Sequence, residues 1–263
     1  MATWIAHLRI AENLLGEISG LDPVAFTFGS LAPDSGIPNA DWTQFDPPKE
    51  VTHFLRQGEG EQAVHDLEFY RAYLAGLKLD GDAARYSFIL GYYLHLVCDR
   101  LWAYRIGVPS KHAYANLIAE RGNKEAWGLI KDDWYGLDQL YVHAHPKGIF
   151  WRVLMRSNNP PQYLPFVTEA ALNQQLDYIR KFYSEPEPAW LLDRPYPYLN
   201  EVTMSRWIVE ASASLLKIYK RFDEIAVLNG APSVLALIDP SEFAMYDAPL
   251  GDVGQIGNLP YTD

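Results

Sequence analysis

The segment from Phe88 to Trp102, FILGYYLHLVCDRLW, constrains the fold of this chain more than any other stretch. Apolar residues occupy almost all of its positions, which predicts a helix that is buried on every side. His95 and Asp99 lie inside this apolar run, and their spacing of four places them one turn apart on the same helical face. Two interpretations fit the pair: a buried hydrogen bond that serves packing, or two ligands of one metal ion.

Helical spacing of apolar residues recurs along much of the chain, and Thr168 provides a cap for one of the helices. The predicted helices cover residues 4–15, 61–78, 131–142, 168–183 and about 200–228. No Gly/Ser-rich linker divides the 263 residues, which are enough for a full core. We therefore predict an all-α fold, a single-domain multi-helix bundle over residues 1–230 with irregular loops. A non-helical C-terminal tail, residues 231–263, is expected to pack on it.

Composition excludes several classes of function. The formal net charge of −11 argues against a nucleic-acid-binding surface and against attraction to anionic lipids. Cys98 is the only cysteine, so no internal disulfide forms, and its place in the buried helix predicts a core residue. The N-terminus has no signal-peptide pattern, and no apolar run reaches the ~18 residues of a membrane span. These features predict a cytoplasmic protein.

Three further candidate ligands precede the central helix. His7 falls beside the apolar stripe of the first helix, where a packed core histidine is the alternative. Asp34 lies in a predicted constrained loop, residues 26–38, and either caps its own turn or presents a carboxylate to a site. His53 lies in a short apolar context. Three imidazoles and two carboxylates form a set that zinc accepts and that manganese or iron also fits.

The blocks FGSLAPD, KEVTHF and LGYYLHLVCDRLW resemble the zinc-dependent phospholipase C family, whose fold is shared with the S1/P1-type nucleases. The resemblance covers roughly the first 105 residues, and the His-x-x-x-Asp helix is its most specific part. It implies a zinc ion held by Asp34, His53, His95 and Asp99. It also implies that His7, placed like a histidine of the family's intracellular branch, ligates a neighbouring ion.

The chain departs from this family in two respects. Secreted members use the amino group of a processed N-terminal tryptophan, whereas Met-Ala-Thr precedes Trp4 here. Their later His, His, Glu set does not occur in the same arrangement. We expect Asp133 to serve a second metal site, with His112 as the alternative. His143 and His145 are predicted to lie on the surface.

The ligand set predicts a metal-dependent hydrolase of phosphate esters, with one to three zinc ions, or manganese or iron, activating a water for attack on phosphorus. The resemblance suggests Asp34 as the residue that orients or deprotonates this water. The sequence alone does not distinguish this role from that of a metal ligand. The expected substrate is a small-molecule or lipid phosphate ester. Arg56 and Arg100 lie near the motifs. Two roles are open to them: contact with the substrate phosphate, or a solvent-exposed or structural position.

Two other functions remain open at this stage. The adjacent His65 and Asp66 fit an HD-type phosphohydrolase. In such a site the helices that carry the ligands pack antiparallel, and His65 lies only 12 residues after His53, which is a short connection for that packing. A non-catalytic, metal-stabilised helical bundle that acts as a binding or scaffold protein is the third hypothesis.

Overall fold

The fold is all-α, as predicted from the sequence. A computed structural model describes residues 1–41, 43–56, 58–59, 64–185, 191–228, 230–231 and 233–252. Its helices are α1 (Trp4–Glu17), α2 (Pro23–Gly29), α3 (Lys49–Thr52), α4 (Asp66–Phe69), α5 (Ala83–Trp102), α6 (Val108–Ala113), α7 (Ala115–Ala144), α8 (Ile149–Arg152), α9 (Glu169–Ser184) and α10 (Glu201–Tyr219). Two short strands, β1 (Ile37–Pro38) and β2 (Phe45–Asp46), pair antiparallel. None of the described helices has the length and apolar character needed to cross a bilayer.

Helix α5 runs through the core. Its residues from Tyr86 to Trp102 are all buried, which confirms the prediction of a helix without a solvent face. The helix begins earlier than the apolar run, because the Asp82 side chain caps it by accepting a hydrogen bond from Arg85 N at 3.0 Å. From Tyr86 onward, every polar side chain on this helix therefore meets protein rather than bulk water.

Helices α2 and α5 approach each other closely at two glycines. A Cβ atom at Gly29 would lie 2.1 Å from the Phe88 carbonyl oxygen, and one at Gly91 would lie 2.5 Å from the Phe26 carbonyl oxygen. Because both positions are glycines, the two backbones can come into contact. A larger side chain would not fit at either position. This contact brings the main chain at Ser30, just after α2, next to α5.

The loop predicted for residues 26–38 is wrong in its first part, because residues 26–29 belong to α2. Pro23 opens this helix, and the Asp22 side chain caps it by accepting a hydrogen bond from Ala25 N at 2.8 Å. A 3₁₀ turn, Ala32–Asp34, follows α2 and ends at the candidate ligand Asp34.

Other predicted helices differ mainly in length. The helix predicted for residues 61–78 is α4 followed by a π-helical segment, Tyr70–Leu74, and residues 61–63 lie outside the described part. The helix predicted for about 200–228 ends as α10 at Tyr219, followed by a 3₁₀ segment, Phe222–Val227. Helix α9 begins as predicted, since Thr168 Oγ1 accepts from Ala171 N at 3.1 Å.

Helix α7 contains the predicted segment 131–142 and is kinked at Gly122, whose φ of 78° is not helical. A second π-helical segment, Ala103–Gly107, joins α5 to α6, and a 3₁₀ turn, Leu154–Arg156, follows α8.

The described part of the C-terminal tail lies on the helices. Val234 N donates to Asp66 Oδ1 at 2.8 Å, and Arg221 donates to the Leu237 carbonyl. Farther along, Asp252 Oδ2 accepts from Tyr196 N at 3.2 Å. The tail contains two 3₁₀ turns, Val234–Leu237 and Pro240–Glu242, and its last residues, 253–263, lie outside the described part.

Candidate metal centre

Five of the predicted ligands lie in one largely buried cluster, as two overlapping groups of three that share His95. His7 comes from α1, Asp34 from the 3₁₀ turn after α2, His53 from the end of α3, and both His95 and Asp99 from α5. His53 Nε2 lies 3.3 Å from Asp34 Oδ1 and 3.6 Å from Asp99 Oδ2. His95 Nε2 lies 3.5 Å from Asp99 Oδ2, and His7 Nε2 lies 3.3 Å from Asp99 Oδ1. The spacing of His95 and Asp99 thus places both side chains in a common site.

Hydrogen bonds from outside the cluster orient three of its members. His95 Nδ1 lies 2.8 Å from the Ser30 carbonyl oxygen, which can only accept, so Nδ1 carries the proton and Nε2 of the neutral ring keeps its lone pair. His53 Nδ1 lies 3.0 Å from Thr52 Oγ1. One carboxylate oxygen of Asp99, Oδ1, accepts from Ala2 N at 2.8 Å.

The atoms that face one another inside the cluster lack hydrogen-bond partners. Among the described residues, His7 Nε2, His53 Nε2, His95 Nε2 and Asp99 Oδ2 are all buried without a partner, since their mutual contacts are not aligned as hydrogen bonds. Buried polar atoms are normally paired, and each one left alone costs about 1–3 kcal/mol. Four such atoms at one point, all of types that ligate metals, fit a bound cation.

The pKa shifts of His7 and Asp99 favour the ionisation states that a metal needs. Burial, with a further contribution from neighbouring His95, lowers the pKa of His7 to about 4, so this ring is neutral at pH 7. Burial opposes ionisation of Asp99, but His95 and His7 outweigh it and hold the pKa of this carboxyl well below its usual value.

Burial likewise opposes ionisation of Asp34, and His53 and His95 outweigh it, so its pKa is also lowered. Burial alone would lower the pKa of His95, but the negative charges of Asp99 and Asp34 raise it. A bound cation would replace the proton that these carboxylates stabilise on His95.

Two of the rings cannot share one ion along their lone-pair directions. The His7 and His95 rings are stacked, with centroids 3.7 Å apart and planes within 8° of parallel. Because the Nε2 lone pair lies in the ring plane, lone pairs in two parallel, separated planes do not meet. The cluster therefore offers two coordination directions across the Asp99 carboxylate, with His7 facing Oδ1 and both His53 and His95 facing Oδ2.

The members of the cluster differ in their exposure to solvent. The side chains of His7, His53, His95 and Asp99 are at most 2% exposed, whereas that of Asp34 is 10% exposed. Asp34 is thus the member of the cluster nearest to water.

Asp133, which is expected to serve a second metal site, does not lie in this cluster. Arg194 donates to its Oδ1, while Tyr198 N and Leu199 N donate to its Oδ2 at 2.7 and 3.3 Å. Both oxygens are therefore engaged by protein donors. The alternative, His112, is exposed, and so are His143 and His145, as predicted.

The HD pair and the two arginines are engaged elsewhere. His65 Nε2 lies 3.0 Å from Glu59 Oε2, while Asp66 holds the C-terminal tail through Val234 N. Arg56 pairs with Glu68, and Arg100 Nη1 donates to the Val64 carbonyl at 2.7 Å. His65 and Asp66 thus serve separate partners rather than a common site.

The sequence analysis did not identify the groups that orient the ligands. Ser30 acts through its carbonyl oxygen and Ala2 through its amide, and main-chain groups carry no residue-type signal. Thr52 could have been found, because a hydroxyl residue directly precedes the candidate ligand His53.

No known protein family, curated protein or solved structure matches this chain.

Proposed function

We propose that this chain is a metal-dependent hydrolase of phosphate esters, with zinc as the preferred ion and a phospholipase C-like arrangement of the site. The observation that carries the proposal is the set of four buried, partnerless ligand atoms on His7, His53, His95 and Asp99. Imidazole and carboxylate ligands suit zinc, and they also accept manganese or iron.

When bound, such an ion supplies Lewis acidity, which activates a water for attack on phosphorus. In this proposal His53, His95 and Asp99 would hold the ion at the Oδ2 side of the carboxylate, while His7 faces the other oxygen, Oδ1. Asp34 is ionised at neutral pH and is the member nearest to solvent, so it can accept a hydrogen bond from the attacking water and orient it.

The proposed substrate is a small-molecule or lipid phosphate ester. The net charge of −11 disfavours a nucleic acid, whose phosphates it would repel. Because Arg56 and Arg100 have protein partners, the phosphate would be held mainly through the ion. The proposal places the protein in the cytoplasm, in keeping with its single cysteine.

A second candidate is a non-catalytic, metal-stabilised scaffold or binding protein. It is favoured by the burial of the cluster, since four of the five side chains are at most 2% exposed. A structural ion needs no route for substrate, whereas a catalytic ion keeps one open position.

Metal content per chain, measured by mass spectrometry on untagged protein prepared without chelator, tests the site. We expect bound zinc in the wild type and in His65→Ala, which removes another buried histidine, and a loss of zinc in His95→Ala. Zinc content that is equal in all three proteins, or absent from all even after zinc is added, would contradict the site.

Turnover of p-nitrophenyl phosphate and bis-p-nitrophenyl phosphate by zinc-loaded protein then separates the two candidates. Hydrolysis that disappears in His95→Ala and in Asp34→Asn supports the hydrolase. Zinc that only raises the melting temperature, without hydrolysis of either ester, supports the scaffold.

A further inference from the structure

Asp138 is a buried carboxylate that the proposed chemistry does not use. It lies on α7, where its Oδ1 accepts from Thr3 Oγ1 at 2.9 Å and its Oδ2 accepts from Tyr183 OH at 2.7 Å. Burial raises the pKa of Asp138 to about 7 in spite of these two bonds. An ionisable group in such a position destabilises the fold unless its hydrogen bonds are retained.

The two bonds lead in different directions. Tyr183 belongs to α9, so its bond ties α7 to α9 at a distance from the metal centre. Thr3 is the N-cap of α1: its Oγ1 accepts from Ala6 N at 3.3 Å while it donates to Asp138. The carboxylate thereby fixes the orientation of the hydroxyl that begins α1.

The start of α1 reaches the metal centre in two ways. Ala2, the residue before Thr3, donates its N–H to Asp99 Oδ1 at 2.8 Å. The Thr3 carbonyl accepts from His7 N at 3.1 Å in the first turn of the helix. Residues 2 and 3 therefore bridge two buried carboxylates, one inside the cluster and one outside it.

We propose that Asp138 is a positioning residue of the metal centre, which acts through Thr3 to hold His7 and the Ala2 N–H against Asp99. This inference rests on the proposed function, because it assumes that the cluster binds a metal. It assigns Asp138 to the support of Asp99 Oδ1, the carboxylate oxygen that His7 and the Ala2 N–H face, whereas His53 and His95 face Oδ2.

The test compares zinc affinity with thermal stability for two variants that break the link and two that keep it. Asp138→Ala and Thr3→Val remove the hydrogen bond between Thr3 and Asp138. Thr3→Ser retains the hydroxyl, and Tyr183→Phe removes only the bond toward α9. Zinc affinity is measured by competition with a chromophoric chelator, and melting temperature is measured with chelator and with saturating zinc.

We expect zinc affinity to fall about 10- to 100-fold in Asp138→Ala and Thr3→Val, the range typical of groups that orient ligands. In the same two variants, zinc should raise the melting temperature by less than it does in the wild type. Thr3→Ser should restore the affinity. Tyr183→Phe should melt at a lower temperature in chelator while its zinc affinity stays close to that of the wild type.

A merely structural role would lower the melting temperature equally with and without zinc and leave affinity unchanged in Asp138→Ala and Thr3→Val. That result would overturn this inference while leaving the metal site in place. Should Asp138→Ala fail to fold, Thr3→Val decides, because Asp138 and its bond to Tyr183 remain. A wild type that binds no zinc would overturn both this inference and the proposed function.

Discussion

Asp99 and Asp133 are both buried carboxylates on long helices, yet their surroundings are opposite in kind. Asp133 is surrounded by donors, namely the Arg194 guanidinium and the main-chain N–H groups of Tyr198 and Leu199. Asp99 accepts one N–H, from Ala2, and otherwise faces imidazole nitrogens. A carboxylate among N–H donors is satisfied by the protein itself, whereas Asp99 Oδ2 and the imidazole Nε2 atoms around it are buried without a hydrogen-bond partner, a need that a cation would meet.

The two carboxyl groups also differ in their pKa. Burial raises the pKa of Asp133 even though Arg194 opposes this effect. At Asp99 burial acts in the same direction, but the neighbouring histidines outweigh it and lower the pKa. The surroundings of Asp99 thus favour the ionised form that ligates metals, which shows why burial alone does not distinguish a site from a structural pair.

The largest expected effect is on metal binding at Asp99. Asp99→Asn removes the charge that faces all three imidazoles, so zinc affinity should fall by at least about 1000-fold, or about 4 kcal/mol. Competition with a chromophoric chelator measures the change. If Asp133→Asn lost zinc as strongly, the distinction between the two carboxylates would be wrong.

The next effect concerns stability at Asp133. Asp133→Ala leaves the buried N–H groups of Tyr198 and Leu199 without an acceptor, so the free energy of unfolding should fall by about 3 kcal/mol. Zinc content should not change. Asp132→Ala, which removes the more exposed partner of Arg194, is the matched control, with an expected cost of about 1 kcal/mol or less by urea denaturation.

Asp66 is a third buried carboxylate, and its effect on the free energy of unfolding should depend on pH. Burial raises its pKa to about 6, with Val234 N, Ser233 and Arg100 opposing the shift. Because the unfolded chain loses this proton near pH 4, the wild type should lose stability relative to Asp66→Asn as pH rises from 4 to 6. The slope should be at most about 1.4 kcal/mol per pH unit. Urea denaturation of both proteins between pH 4 and 6 measures this slope. A stability difference that does not change with pH would contradict the raised pKa of Asp66.

A smaller effect is expected at Gly91, where the close approach of α2 and α5 positions the Ser30 carbonyl beside His95. Gly91→Ala places a methyl group against the Phe26 carbonyl, so α2 must move and stability should fall by about 2 kcal/mol. Zinc affinity should weaken as well. Gly128→Ala is the control, because open space surrounds Gly128 in α7, and stability there should rise by up to about 1 kcal/mol.

The smallest effect is expected at His112. This histidine is exposed, so His112→Ala should change the free energy of unfolding by no more than about 0.5 kcal/mol and leave zinc content as it is. Loss of an ion in this variant would mean that a second site exists away from Asp99 and would restore His112 as a ligand.

Much of the fold follows from local patterns. The buried helix α5 is visible as an apolar run, and the Thr168 cap of α9 as a hydroxyl before a helical stretch. The spacing of His95 and Asp99 places both on one helical face before any tertiary contact is known. Helix ends are harder, because the start of α2 depends on capping by Asp22 rather than on periodicity.

The partners of the buried carboxylates could not be predicted in the same way. Asp133 pairs with Arg194 and Tyr198, more than sixty residues along the chain, and no residue near it in the sequence indicates these partners. The stacking of His7 on His95 and the Ser30 carbonyl at His95 Nδ1 likewise depend on how α1 and α2 pack on α5.

Residue spacing within a helix follows from backbone geometry alone, so the sequence is sufficient to place His95 and Asp99 side by side. Whether a buried carboxylate meets N–H donors or imidazole rings depends on segments that only packing brings together. The Gly29 and Gly91 contact shows the reason: a close approach of two backbones, set by the whole bundle, determines which atoms surround the site.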